Sequence, residues 1–231
     1  MKIGIIQPYF LPYIGYFALI NAVEKFIYLD DVQYMRRGWV NRNRMKIVNK
    51  WQYFSIPIKK TALTSNINEI YITDDKKYIE KLKESIRHSY SKTPYYRDII
   101  KLLYDFIIPS QNISKMDIQL TNEICNYLEI KTEMLVSSQI NQDGEKNGVD
   151  KMVEICKRVN GDHYINPIGG INLYSKDRFQ KAEIKLNFIK MNEIRYFQGN
   201  HEFIPNLSII DVLMWNSKKD IQSFLKDFIL I

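Results

Sequence analysis

The chain has 231 residues, 45% of them apolar, and carries 33 basic against 26 acidic side chains for a net charge of +7. Such a length and apolar share suit one globular domain with room for a helical elaboration, and no apolar run approaches the about 20 residues that span a bilayer. The two cysteines, Cys125 and Cys156, stand far apart and His88, His163 and His201 are scattered, so neither a disulfide framework nor a zinc site is expected.

In chain order, "KIGIIQP" is an apolar run ending at Pro8 and predicts a buried strand running into a loop. "IGYFALINAVEKF" has Phe17, Ile20 and Val23 at helical spacing, with Leu19 filling the stripe, and "KFIYLDDVQ" reads as a second strand. Strand, helix and strand within roughly thirty residues make a βαβ unit with a right-handed crossover. "RMKIVNKWQYFSIPIKK" predicts a hairpin around Asn49 and Lys50, and "INEIYITDD" another strand. "YIEKLKESIRHSY" puts Ile79, Leu82 and Ile86 on one helical face, and two more helices are expected over roughly 94–108 and 115–128. "KTEMLVSSQI" predicts a strand, "VDKMVEICKRV" a helix with Val149, Met152, Val153 and Cys156 inward, "DHYINP" a short strand, "SKDRFQKAEI" a helix and "IKLNFIKM" a strand. The end, "LSIIDVLMWNSKKDIQSFLKDFILI", reads as one or two helices. The expected architecture is α/β: a parallel, Rossmann-like, nucleotidylyltransferase-like sheet in a single domain over 1–231, with a mainly helical lobe at roughly 76–130.

In parallel sheets ligands sit beyond the carboxyl ends of the strands, near a topological switch point. "QPYFLPY", "DDVQYMRR", "NPIGG" and "RYFQGNHEF" are each placed after an apolar strand, so they are expected to converge on one cleft. The densest is "LDDVQYMRRGWVNRNR". Asp30 and Asp31 end a strand and supply a candidate base, and Arg36, Arg37, Arg42 and Arg44 follow as forks for a phosphate or carboxylate. Gln33, Asn41 and Asn43 suit a sugar or ribose, and Trp39 offers a stacking face or an anchor. The competing reading is a solvated loop whose ion pairs are worth about 0–1 kcal/mol each.

In "QPYFLPYIGYF", Gln7 and Pro8 open a loop that enters a helix near Gly15, where backbone N–H groups can approach an anion. This layout resembles the nucleotide-binding turn of the nucleotidylyltransferase superfamily, whose loop carries a Pro-His-x-Gly-His pattern. Here the equivalent residues are Pro12, Tyr13, Ile14, Gly15 and Tyr16, with tyrosine at both histidine positions. A tyrosine can donate one hydrogen bond but carries no positive charge at neutral pH. "NPIGGINLY" adds Asn166, Gly169 and Tyr174 as ligand-facing candidates; Gln198, Asn206, Ser208 and Asp211 are polar among apolar neighbours. Ser208 and Asp211 also have the spacing of a helix N-terminus, which Ser114 with Asp117 and Ser217 with Asp220 repeat. Lys59 and Lys60 are candidate anion contacts or a solvated pair.

Together "QPYFLPYIGYFALI", "LDDVQYMRRGWVNRNR", "SIPIKK", "YYRD", "YINPIGG" and "FIPNLSIIDVL" resemble the WbqC-like family, in family order and over nearly the whole chain. The resemblance implies a cytoplasmic bacterial protein of O-antigen or other surface-polysaccharide synthesis, with attachment of glycine or another aminoacyl group to an amino sugar as the proposed activity. On that reading the protein is an N-acyltransferase acting on a nucleotide-linked amino sugar. Asp30 or Asp31 is then the base, Tyr13, Tyr16 or Gln7 binds the acyl oxygen or the nucleotide, and ATP, an aminoacyl-tRNA or a thioester carrier is the source of the acyl group. No serine or cysteine stands in a recognisable nucleophile setting, so direct attack by the amine is expected. The alternatives are a nucleotidylyltransferase with tyrosines in place of histidines and a non-catalytic nucleotide-sugar binder. The N-terminus "MKIGIIQPYF" lacks the apolar core and cleavage site of a signal peptide, in keeping with a cytoplasmic location.

Overall fold

In the computed structural model, residues 1–140 and 148–231 are described. In chain order the elements are β1 (Lys2–Ile6), α1 (Ile14–Ala22), β2 (Lys25–Tyr28), β3 (Arg42–Ile47), β4 (Lys50–Ser55), α2 (Lys76–Tyr90), α3 (Tyr96–Tyr104), α4 (Ile113–Tyr127) and β5 (Glu133–Val136). They continue with α5 (Ser137–Ile140), α6 (Gly148–Arg158), β6 (His163–Pro167), α7 (Lys176–Gln180), β7 (Lys185–Met191), α8 (Ile209–Trp215), α9 (Lys218–Phe224) and β8 (Phe228–Leu230). Six strands form one sheet in the order β5-β2-β1-β6-β7-β8, and β3 pairs with β4 as a separate hairpin. The pairings from β5 to β7 are all parallel, and β8 runs antiparallel to β7. The fold is therefore Rossmann-like α/β.

Side-chain alternation assigns the two faces of the sheet. Phe26 and Tyr28 of β2 enter the larger core with α1, α4, α8 and the hairpin, while Ile27 and Leu29 enter the smaller one with α6 and α7. Helix α1 is apolar on every side, with Ile14 to Ile20 all buried, because the sheet lies on one flank and the later helices cover the other. The strand order reverses at β1: the chain builds outward through β2 to β5, then returns to place β6 on the other side of β1. The switch point lies between β1 and β6.

Two predicted elements differ. "INEIYITDD" is not a strand: a 3₁₀ turn at Ile67–Glu69 is closed by a capping box between Asn66 and Glu69, and only single bridges follow, Ile58 to Ile72 and Tyr71 to Asn112. The turn buries Ile67 and Ile70, three positions apart, and that spacing matches a turn rather than a strand. The last residues are not helical either. After α8 and α9 the chain turns, and Phe228–Leu230 closes the edge of β7, where a β-branched-rich run supplies the ladder partner that β7 lacks. The hairpin turn falls at Val48–Asn49, one residue earlier than read, since Ile47 pairs with Lys50. No described helix is long and apolar enough to cross a membrane.

Candidate functional site

Because β1 and β2 are parallel neighbours, the loops that leave them emerge side by side. The Phe10 backbone N–H donates to the Trp39 carbonyl at 3.1 Å. Asn43 Nδ2 donates to the carbonyls of Phe10 and Leu11 at 3.0 and 2.8 Å, and Ser208 Oγ donates to Leu11 O at 2.6 Å. Ile209 N donates to Pro12 O, and Ser208 N to Arg44 O. The proline-tyrosine loop, the arginine segment and "NLS" at 206–208 thus share one wall. Leu11 sits at φ 43 within this loop, a left-handed backbone that this ring of bonds holds in place.

The aspartates after β2 are held from within the protein. Asp30 is buried; its Oδ1 accepts from Ser138 N at 3.0 Å and lies 3.2 Å from Ser137 Oγ, and its Oδ2 accepts from Ser138 Oγ at 2.8 Å. It caps α5, and both of its oxygens are occupied. Asp31 accepts from Ser137 Oγ and forms an ion pair with Lys151 Nζ at 2.8 Å; the same ammonium donates to the Asp31 carbonyl at 2.9 Å. Lys151 is itself buried on α6. Ser137, Ser138 and Lys151 are site residues that sequence reasoning did not name.

Tyr16, named among the reactive groups from sequence, is turned into the core. Its hydroxyl donates to the Gln7 carbonyl at 3.0 Å and its ring packs edge-on to Phe17 and Phe26. Burial pushes that phenol well above its ordinary pKa, with Tyr28, Tyr9 and Asp117 adding to the shift. Gly15 admits no side chain because a Cβ there would overlap the ring of Tyr13. The glycine makes room for this tyrosine rather than for a ligand. Asn41 is also spent internally, accepting from Tyr34 OH at 2.8 Å and donating to Ile56 O at 3.0 Å. Gln33 donates to Leu63 O, Arg36 to Thr61 O, and Lys59 pairs with Asp74 at 2.9 Å, away from the strand ends.

At the switch point Pro8 is buried; Tyr9 of the β1 loop lies near Tyr13 and near Tyr174 of the β6 loop, and Tyr174 lies beside Asn166 around Gly170. Burial raises the Tyr9 phenol, and the nearby Tyr13 and Tyr174 hydroxyls add to it; burial alone raises Tyr13. Neither the Tyr9 nor the Tyr13 hydroxyl has a hydrogen-bond partner among the described residues. Asn166 donates to Tyr164 OH at 2.5 Å, Tyr174 packs edge-on to Tyr164 at 5.9 Å, and Gly169 faces open space. This crevice keeps the uncommitted polar groups. Surface depressions lie along α2 (Lys76, Lys77, Glu80, Lys81, Glu84) and beside α7.

Two further carboxyls are buried. Asp211 accepts from Tyr196 OH at 2.7 Å, Gln198 Nε2 at 2.9 Å and Tyr90 OH at 3.0 Å. Lys46 lies beside it, bonded to the carbonyls of Gln198 and Glu202. Burial raises the Asp211 carboxyl, opposed by those donors and by Lys46. This network ties the segment before α8 to the hairpin, so Gln198 and Asp211 do meet, but inside the protein. Ser208 caps α8 by accepting from Ile210 N, and Asn206 offers its carbonyl to Arg44 at 3.0 Å. Asp117 is different: neither oxygen has a hydrogen-bond partner among the described residues, and burial holds its carboxyl well above the usual range. The cap of α4 is Asn112, which accepts from Lys115 N, so the Ser114 and Asp117 spacing marks no helix start.

The chain is a Rossmann-like α/β protein with tyrosines on the loops that leave β1 and β6 at the switch point, the position where such sheets receive ligands. The chain belongs to the WbqC-like protein family, whose model matches residues 7–223. It is 28% identical over 217 residues, 92% of each chain, to the "Uncharacterized protein Rv1507c" of Mycobacterium tuberculosis. No solved structure matches.

Proposed function

We propose that the protein is an N-acyltransferase that moves an aminoacyl group, glycyl being the simplest, onto the amine of a nucleotide-linked amino sugar used for bacterial surface polysaccharide. The observation that carries this reading is the tyrosine crevice at the switch point, with two phenol hydroxyls free and a run of arginines on the wall beside it. Tyr9, Tyr13, Gln7 and Asn166 supply the hydroxyl and amide contacts that a sugar and nucleoside need. Arg37, exposed and without a carboxylate partner among the described residues, is the fork proposed for a pyrophosphate.

In the reaction the sugar amine attacks the acyl carbonyl. An N–C bond forms, the bond from the acyl carbon to its carrier breaks, and the amine proton passes to a base. Asp31 is the better of the two aspartates for that role, since Asp30 has both oxygens engaged by α5 and Asp31 keeps an edge in solvent. Lys151 holds Asp31 in place. The acyl carrier is ATP-derived adenylate, an aminoacyl-tRNA or a thioester.

The test is incubation of the protein with nucleotide-linked amino sugars, an amino acid and each carrier in turn, with mass spectrometry of the sugar. An added aminoacyl group that is lost in Asp31→Asn, while the sugar nucleotide still raises the melting temperature of the variant, supports the assignment. Pyrophosphate release from a nucleoside triphosphate with no acylated product would replace it with nucleotidyl transfer. Binding with no turnover under any carrier would leave a nucleotide-sugar binder.

A further inference from the structure

Positive charge is spread unevenly along the chain. From Val32 to Asn68 there are eight lysines and arginines and no aspartate or glutamate. That one segment carries more than the whole net charge of +7, and the remainder is close to neutral.

The fold lays much of this segment on the outer face of the β3–β4 hairpin. Arg44 pairs with Tyr53 and Arg42 with Ser55, and cross-strand partners share a face; Lys46, opposite Trp51, is buried against Gln198 and Glu202 and does not join it. Trp39 joins them, 6.3 Å from Tyr53, and Trp51 stands edge-on to Tyr53 at 5.2 Å. The three rings are 37%, 44% and 47% exposed for Trp39, Trp51 and Tyr53. Between them lie guanidinium groups: Arg42 is 4.2 Å over Tyr53, and Arg44 is 5.7 Å from Trp39 and 5.3 Å from Trp51. Neither arginine meets a carboxylate among the described residues. Arg42 donates to the carbonyls of Gly38 and Arg37, Arg44 donates to Asn206 O, and Arg44 Nε is buried without an acceptor. Arg36, Arg37 and Lys50 stand exposed around the edge.

Aromatic rings alternating with unpaired cations form the surface that unpaired bases recognise: each base presents a face to stack, and each phosphate meets a cation. A neutral sugar would use the rings but has no need of the cations. A lipid surface selects protruding aliphatic groups beside lysines, whereas here the cations are arginines that lie over the rings. A paired duplex hides its base faces. We infer that the outer face of the β3–β4 hairpin docks a single-stranded nucleic acid, with two or three bases on Trp39, Tyr53 and Trp51 and phosphates at Arg42, Arg44 and Arg37. The face adjoins the crevice, since the Trp39 carbonyl accepts from Phe10 N in the β1 loop. The docking claim stands apart from the acyl-transfer reading. Only when joined to that reading does it go further, selecting an aminoacyl-RNA as the acyl donor over an adenylate or a thioester.

The experiment is fluorescence anisotropy of a labelled single-stranded RNA oligonucleotide, with no acyl donor or acceptor present, so that a failed acylation assay leaves it unaffected. The expected result is binding that weakens about tenfold or more in W51A/Y53A. It should be weaker for the same RNA annealed to its complement, and it should fall with salt at a slope of about 0.7 per phosphate contact, lowered in Arg42→Gln. Thermal melting checks that each variant is folded. The inference is overturned by no binding to the folded wild-type protein, by equal affinity in folded W51A/Y53A, or by preference for the duplex. Vesicles of phosphatidylglycerol form a parallel arm: binding to them that W51A/Y53A abolishes, with RNA unbound, also overturns it and makes the face a membrane contact.

Discussion

One sixteen-residue stretch, Leu29 to Arg44, folds into two regions of opposite character. At its acidic end Asp30 and Asp31 are engaged by Ser137, Ser138 and Lys151. At its basic end the guanidinium groups of Arg42 and Arg44 find, among the described residues, only carbonyls and aromatic rings. In sequence both ends look like binding groups. Polar density alone therefore does not locate a ligand; what matters is which polar groups the protein has left without internal partners.

The largest effect should come from breaking the acidic end. Lys151 and Asp31 are only 4% and 15% exposed, and removing one partner of such a pair leaves a charge stranded. Lys151→Met should lower the unfolding free energy by about 3–5 kcal/mol, measured by urea denaturation. D31N/K151M should recover part of that loss, because it removes the stranded charge. A cost for Lys151→Met below about 0.5 kcal/mol would mean that solvent reaches the pair and that the two ends of the stretch are not so different.

Asp117 sharpens the contrast from the opposite side, as a buried carboxyl with no donor among the described residues. Its folded pKa is raised by burial, so the folded state keeps a proton that the unfolded state gives up above its ordinary 3.8. The resulting penalty is absent below that pH and grows as pH rises toward the folded value. Asp117→Asn removes the titration and keeps the shape. It should stabilise the protein by about 1–3 kcal/mol at pH 7, with the advantage vanishing near pH 4. A variant destabilised equally at both pH values would show that the carboxyl has a partner in solution, such as a buried water.

Asn43 lies between Arg42 and Arg44 yet points inward, as the acidic end does. Asn43→Ala strands the carbonyl of Phe10 and leaves that of Leu11 to Ser208 alone, and should cost about 2 kcal/mol. Hydrogen exchange should quicken across Tyr9 to Tyr13, since the loop loses two of its staples. Unchanged exchange there would mean that Ser208 and Ile209 hold the loop on their own.

The alternation of periods that made the first βαβ unit legible is local, and so is the amphipathic stripe of α2. The segments misread were those where two local signals competed. "INEIYITDD" has β-rich residues, but Asn66 and Glu69 supply a capping box that wins. "FILI" follows two short helices without a break in apolar character, and only the free edge of β7, some forty residues earlier, makes it a strand. The candidate site was legible as a set of loops, because strand ends in a parallel sheet converge by topology. The direction of each side chain was not. Asp30 and Asp31 meet Ser137 and Lys151 across more than a hundred positions, and Lys151 stands beside apolar residues on its helix with no mark of its partner. Asn43 looked like a sugar ligand because nothing in its neighbourhood shows that it faces two carbonyls of another loop.

The smallest expected effect falls on the arginine end. Trp51 and Tyr53 lie on the outward face of the hairpin, against each other and against guanidinium groups rather than in the core. Removing both rings gives up a ring pair and exposed cation–π contacts, the latter worth about 0.5–1 kcal/mol each, while the inward-facing Met45 and Phe54 keep the hairpin anchored. W51A/Y53A should therefore lose roughly 1 kcal/mol or less of unfolding free energy, a small fraction of the loss expected for Lys151→Met. A loss of about 3 kcal/mol would reverse the comparison. The rings would then be part of what holds the hairpin together, and their exposure would need no partner to explain it. A small loss leaves three partly exposed rings and two cations without a carboxylate partner among the described residues contributing little to folding, which is what the docking proposal expects.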